Sequence, residues 1–378
     1  MKKILLVFGT RPEAIKMAPL VLAMARRRDE VEPIVCITAQ HREMLDGVLK
    51  FFGINPDFDL NIMQPGQDLY GITANIVQGM KGVLHKAKPD WVLVHGDTTT
   101  SFAAALAAYY ERCRVGHVEA GLRSHNKYSP FPEEMNRRLT AAISDVHFAP
   151  TNLNRKNLQA EGIAEAAIKV TGNTVIDALF HARNKIIETG GSPLFRENGA
   201  LAAALASSRP MILVTAHRRE NFGEPLVQIC DAIQRLVVEF PDIFIVWPIH
   251  PNPNIQNFVW NKLENISNVF LTHPQKYEDF VQLMDRSTLV MTDSGGVQEE
   301  APSLGKPVLV LRDVTERIEA LEAGTVEVIG TDSSRIFERA SSHLRSKKNN
   351  CTPSFVNNPY GDGNASDRII DWIVGKDC

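Results

Sequence analysis

No stretch of this sequence approaches the roughly 18 uncharged apolar residues that a membrane helix requires, which argues against a spanning segment. The first apolar run, Ile4 to Phe8, is short, and Arg11, Glu13 and Lys16 follow at once, so it reads as a buried strand rather than a signal peptide. Cysteine is scarce: the five residues at 36, 113, 230, 351 and 378 are odd in number and lack metal-ligand spacing, as in a reduced, metal-free, cytoplasmic chain. A basic excess is also missing. The formal net charge is -3, so nothing supplies the cationic face that drives phosphate-backbone binding, and nucleic acid is excluded as a partner. Any anion recognition must come from a few placed residues, which points to a small phosphorylated ligand.

What is present is enough apolar material, 44% of 378 residues, for two cores of ordinary domain size. Short apolar runs alternate with helical patterns almost from end to end, the signature of parallel sheets with crossover helices. Strands are expected at 4–9, 31–38, 90–96, 114–119, 145–150 and 168–171, then at 211–215, 243–249, 268–272, 288–292, 307–311 and 325–329. The breaker cluster Gly190-Gly191-Ser192-Pro193 lies between the two series. The expected fold is α/β: two doubly wound, Rossmann-like domains facing a cleft, the first of residues 1–172 plus 364–378 and the second of 173–363. In such sheets ligands bind outside the carboxyl ends of strands, so the chemistry is expected at strand exits.

The exit of the first strand, Gly9-Thr10-Arg11-Pro12-Glu13-Ala14-Ile15-Lys16, lacks both the spaced glycines of a dinucleotide fingerprint and the Gly-Lys-Ser/Thr ending of a P-loop, so neither NAD nor ATP is implied. It offers two cations instead, Arg11 and Lys16, which could equally be solvated surface charges. His95-Gly96-Asp97-Thr98 ends a strand on an acid that is either chemical or a helix N-cap. Glu119 ends another, with a salt bridge to Arg123 as its structural alternative, and Glu133 and Glu134 open a helix where acids are common for dipole reasons. Like charges crowded together would push these acids apart in pKa, giving one acid and one base. Further on, His217 with Arg218 and Arg219 makes an anion site or a basic surface turn, and His250 ends a strand in a weaker context. Thr292-Asp293-Ser294-Gly295-Gly296 is the strongest single signal: a strand ends, two glycines expose backbone N–H groups and a helix begins, which suits a diphosphate. Glu300 sits further along that helix, where it could accept from a ribose diol.

Taken together, GTRPEAIK (9–16), TAQHREMLD (38–46), HGDTTT (95–100), GHVEAGLRS (116–124), PEEMNRR (132–138), TAHRREN (215–221), TDSGGVQEEAPSLGKPVLVLR (292–312) and NPYGDG (358–363) resemble the bacterial non-hydrolysing UDP-N-acetylglucosamine 2-epimerases. The resemblance runs in order from residue 4 to about residue 366. It implies a glycosyltransferase-B fold, with the helix 365–374 returning to the first domain, and a cofactor-free, homodimeric isomerase interconverting UDP-GlcNAc and UDP-ManNAc. It implies that Arg11, Lys16, Gln275, Phe280, Ser294, Gly295, Gly296, Glu300 and Arg317 bind the nucleotide sugar, and that Asp97, Glu119, Glu133 and His217 lie at the reacting sugar. It further implies an allosteric second UDP-GlcNAc contacted by Gln40, His41, Glu43 and His250. Two departures bear on this: Ile318 stands after Arg317 where related sequences often have proline, and Gln64-Pro65-Gly66-Gln67 lacks a cation for a second diphosphate. The competing readings are a hydrolysing epimerase, a UDP-sugar glycosyltransferase and a non-catalytic nucleotide-sugar sensor.

Overall fold

The computed structural model describes residues 1–39, 42–63, 66–196, 199–348 and 358–375. They divide into two compact units, Met1–His181 with Tyr360–Cys378, and Ala182–Pro359. The division falls inside the helix Thr174–Glu188 rather than at residue 172, and the return to the first unit begins at Tyr360 rather than 364.

The first unit is a seven-stranded parallel sheet of β1 (Lys2–Phe8), β2 (Val31–Ile37), β3 (Phe58–Asp59), β4 (Trp91–His95), β5 (Arg114–Val118), β6 (Val146–Ala149) and β7 (Ile168–Val170), in the order β3-β2-β1-β4-β5-β6-β7. Ile4 to Phe8 and Val92 to Val94 are fully buried, as strands covered on both faces by crossover helices must be. Each such side chain contributes roughly 1.5–3 kcal/mol by leaving water. The order reverses direction between β1 and β4, so the crevice for a ligand opens where these two strands exit. Gly9 stands at that point for lack of room: a Cβ there would lie 1.9 Å from Thr38 Oγ1 and 2.7 Å from Thr100 Oγ1. The two-residue β3 is an edge strand with no periodicity to announce it in sequence.

The helix Ala365–Val374 belongs to this unit as expected. Asp177 accepts from its first amides, Ala365 N at 3.2 Å and Ser366 N at 2.7 Å. Trp372 then packs edge-on against Trp91 and Phe148, each at 5.7 Å between ring centres, and Asp371 pairs with Arg27 at 2.7 Å.

The second unit repeats the plan with six parallel strands: β8 (Met211–Thr215), β9 (Phe244–Pro248), β10 (Val269–Thr272), β11 (Leu289–Thr292), β12 (Val308–Val310) and β13 (Val326–Val328), ordered β10-β9-β8-β11-β12-β13. Its switch point lies between β8 and β11, where the His217 and Asp293 loops emerge. Among the described residues no helix is long and apolar enough to cross a membrane.

Candidate active site

Around the β1 exit one buried acid does the local organising. Glu13 Oε2 accepts from Gly9 N (3.0 Å), Thr10 N (2.8 Å) and Thr10 Oγ1 (2.8 Å). Its Oε1 accepts from Thr98 Oγ1 (2.6 Å) and Ser101 Oγ (3.2 Å). One carboxylate thus closes the N-terminus of the helix Arg11–Arg26 as a capping box and ties it to the β4 exit. Arg11 and Lys16 ride on that helix. Lys16 Nζ forms an ion pair with Glu119, and both side chains are only 14% exposed. Lys16 is therefore not a solvated surface cation.

Glu119 follows β5 with a positive φ of 59°, and three groups converge on its Oε2: Lys16, Asn173 Nδ2 at 2.9 Å and His95 Nε2 at 3.5 Å. Burial alone would raise this carboxyl, but Lys16 and then His95 outweigh it and hold the group well below the usual carboxylate range. The salt bridge to Arg123 suggested by sequence does not form, because Arg123 is committed to Glu161 through Nε (2.9 Å) and Nη2 (2.7 Å).

Asp97 is not an N-cap either; Thr98 caps the helix Thr99–Tyr110, accepting from Ser101 N at 3.1 Å. The Asp97 carboxylate takes Arg137 Nε (3.0 Å) and Nη2 (2.6 Å) on one oxygen, and its carbonyl accepts from Asn136 Nδ2 at 2.9 Å. Arg137 and Asn136 belong to the helix Glu133–Ile143, so this helix is docked on Asp97. Glu134 is fully buried and spent on Ser124 N (2.9 Å) and Arg137 Nη1 (3.2 Å). Glu133 Oε2 is buried and has no hydrogen-bond partner among the described residues; Glu134 Oε1 likewise has none and lies 3.4 Å from Arg138 Nε. His117 Nε2 lies 2.7 Å from Gly96 O, and burial pushes its imidazole down to about 3, so it braces the turn before Asp97 as a neutral ring. Asp97 and Glu119 thus each have a cation of their own, Arg137 and Lys16.

In the second unit His217 leaves β8 with its Nδ1 3.0 Å from the buried Asp293 and its side chain 42% exposed. His250, leaving the neighbouring β9, stacks on it at 5.8 Å and 18° between planes. Ser294 precedes the helix Gly295–Glu300, which is only six residues long, so local N–H groups rather than a macrodipole are what it can offer an anion. Arg317 lies directly against Gly295: a Cβ on Gly295 would be 2.9 Å from its Cζ. Its Nε donates to Glu299 Oε1 at 2.9 Å. Glu300 Oε2 comes within 3.7 Å of the position of a Gly296 Cβ, so Ser294, Gly295, Gly296, Glu300 and Arg317 form one cluster. Gln275 and Phe280 follow the edge strand β10; Gln275 Nε2 donates to His273 O (2.7 Å) and Thr272 Oγ1 (3.1 Å), and Phe280 is half-buried on the helix Tyr277–Arg286, which packs against the segment Ala301–Leu304 that continues from Glu300. Gln40 and His41 lie outside the described residues, as does the side chain of Glu43.

Two switch points, one carrying acids held by cations and the other an imidazole, the backbone amides of a helix start and a guanidinium, agree with what comparison with known proteins finds. The family model of UDP-N-acetylglucosamine 2-epimerase matches residues 23–374. The chain belongs to the UDP-N-acetylglucosamine 2-epimerase family. The UDP-N-acetylglucosamine 2-epimerase of Escherichia coli K12 is 53% identical over 371 residues, 98% of each chain. The Neisseria meningitidis UDP-GlcNAc 2-epimerase, solved bound to UDP-GlcNAc, superposes with a TM-score of 0.88 at 48% identity, covering 99% of this chain and 100% of that one. The Methanocaldococcus jannaschii UDP-GlcNAc 2-epimerase, solved with UDP-GlcNAc and UDP, gives 0.79 at 31% identity over 99% of both chains.

For this 2-epimerase family member the motif reading missed the supports rather than the exposed groups. Glu13, Arg137 and Asn173 were not singled out. Glu13 was findable, since Thr10 and Glu13 have the spacing of a capping box. Arg137 and Asn173 act on residues 40 and 54 positions away, and no local pattern announces that.

Proposed function

We propose that this chain reversibly epimerises C2 of UDP-GlcNAc to give UDP-ManNAc, by elimination of UDP to a 2-acetamidoglucal and re-addition with protonation on the opposite face. The C2 proton is not adjacent to a carbonyl, so it becomes acidic only as the C1–O bond to UDP breaks and C1 gains oxocarbenium character. Ser294, Gly295, Gly296 and Arg317 are assigned to the nucleotide, with Glu300 at the ribose and Arg11 and His217 at the departing diphosphate charge. Gln275 and Phe280 are assigned to the nucleotide on the family resemblance alone.

The observation that carries the catalytic assignment is the contrast among the three acids. Glu119, held ionised by Lys16, is a weak base suited to stabilising positive charge at C1. Asp97 is clamped by Arg137, which leaves it able to exchange a proton only through its second oxygen. Glu133, with a buried oxygen lacking a partner among the described residues, is the group best placed to carry the C2 proton. Incubation with UDP-GlcNAc in D2O, followed by NMR, tests the reading: UDP-ManNAc should appear with deuterium at C2 and without added NAD or metal. Unlabelled product would defeat the elimination, and free ManNAc with UDP would assign a hydrolysing enzyme.

The resemblance also supports a cytoplasmic homodimer with a second UDP-GlcNAc acting as activator. The stacking of His250 on His217 favours the latter, since it couples a residue of the proposed second site to one of the first. Initial rates from UDP-ManNAc with and without UDP-GlcNAc decide it, equal rates excluding activation.

A further inference from the structure

Asp293 holds none of the roles assigned so far, yet it is fully buried beside a residue that has one. Its Oδ2 accepts from the backbone amides of His217 and Arg218, both at 2.8 Å, and from Asn221 Nδ2 at 2.9 Å. These three donors saturate that oxygen. Oδ1 is buried as well and takes no hydrogen bond among the described residues; the charged or polar group facing it is His217 Nδ1, 3.0 Å away.

We propose that Asp293 is the positioning residue for His217, fixing the ring with its proton on Nδ1 so that Nε2 is the atom presented to the nucleotide sugar. An anionic oxygen buried without a donor is unfavourable, and the group facing Oδ1 is His217 Nδ1, which relieves it only as an Nδ1–H. The neutral ring therefore carries its proton on Nδ1, and the protonated ring gains an Nε2–H donor whose counter-charge is already in place. A carboxylate kept only to staple the 217–221 loop would need Oδ2 alone. The second oxygen is what identifies the imidazole as its object. The ring is fixed in orientation from its other side by His250, stacked at 5.8 Å. Arg218 Nε donates to Asp293 O at 3.1 Å, so loop and acid move together. This is the base-and-orienter arrangement in which a carboxylate sets the tautomer of a reacting imidazole without itself taking the proton.

The inference rests on the proposal that His217 acts at the departing diphosphate, but its structural half can be tested without substrate. Protein labelled with 15N-histidine, with the His217 signals assigned by their loss in His217→Gln, should show neutral His217 protonated on Nδ1 in long-range 1H–15N spectra. In Asp293→Asn the side-chain oxygen must stay on its three donors, which turns the NH2 toward Nδ1 and forces the proton to Nε2. Turnover should then fall roughly 100-fold or more with KM within about threefold, a split that loop damage alone would not produce. The wild-type spectrum needs no variant, so it decides the matter even if Asp293→Asn fails to fold. An Nε2–H tautomer in neutral wild-type His217 would overturn the proposal, as would a folded Asp293→Asn that keeps Nδ1–H or retains full turnover. None of these results touches the epimerase reading, which stands or falls on deuterium at C2.

Discussion

Replacing Lys16 by methionine should unsettle the first unit in a way that depends on pH. Lys16 and Glu119 are each 14% exposed, close to the limit in which removing one partner of a buried pair costs about 3–5 kcal/mol. Two groups soften the loss: Asn173 still donates at 2.9 Å, and His95 Nε2 stays 3.5 Å away. A destabilisation of roughly 2–3 kcal/mol is therefore expected. In the wild type the Glu119 carboxyl is held below its ordinary value, because Lys16 and His95 outweigh the burial that would raise it. A depressed folded value means that the pair's contribution is complete above the unfolded carboxyl pKa of about 4.3 and is lost as pH falls through the folded value. In Lys16→Met the burial stays and the main cation is gone, so Glu119 binds its proton at higher pH and no longer needs a counter-charge. The deficit relative to wild type should narrow as pH is lowered from 8 toward 4.5. The chain has two compact units and need not unfold in one step, so urea dependence should be read from hydrogen exchange of β1, β4 and β5 amides. Lys16→Met/Glu119→Gln should be more stable than the sum of the single losses, by about 1–3 kcal/mol. A deficit constant across that pH range, or strict additivity, would refute the electrostatic account.

Asp97→Asn and Glu133→Gln should each lower turnover by roughly 100-fold or more in a UDP-ManNAc formation assay, the usual scale for groups that move protons or stabilise charge; full activity in either variant removes that residue from the mechanism. Gly295→Ala places a Cβ 2.9 Å from Arg317 Cζ and should weaken UDP binding about tenfold, or 1.4 kcal/mol, by calorimetry; unchanged affinity would detach Arg317 from the nucleotide. For His117, a folded value pushed down to about 3 by burial means the unfolded chain binds the extra proton. Stability should thus fall as pH drops from about 6.5 toward 3, by up to 1.4 kcal/mol per unit, and His117→Gln should flatten that slope in acid titrations of unfolding.

Every strand expected from an apolar run is present; the clearest, such as Ile4 to Phe8, Met211 to Val214 and Leu289 to Met291, are fully buried and write that burial as unbroken apolar sequence. The strand that escaped notice, Phe58–Asp59, is two residues at a sheet edge, where neither face demands a pattern. At the site, exposed chemistry was legible and its wiring was not. Glu119 was visible as a strand-end acid, but its partner Lys16 lies 103 residues earlier, whereas the tempting local partner Arg123 had a better bidentate match in Glu161. Asp97 looked like a cap until Thr98 took that place and Arg137 took the carboxylate. Asp293 sat in plain view beside the two glycines, which drew the reading toward phosphate and away from the imidazole 76 residues earlier.

The return of the helix Ala365–Val374 to the sheet that begins at Lys2 sets an order of events during synthesis. The second unit is continuous in sequence and lies wholly between the two segments of the first. The unit made first is the one finished last. Until Trp372 emerges, Trp91 and Phe148 lack the ring that packs edge-on against both, and Asp177 has no Ala365 and Ser366 amides to hold. The first unit therefore waits for a segment that lies beyond the second, and in the nascent chain Trp91 and Phe148 carry an open apolar face for as long as the second takes to be translated.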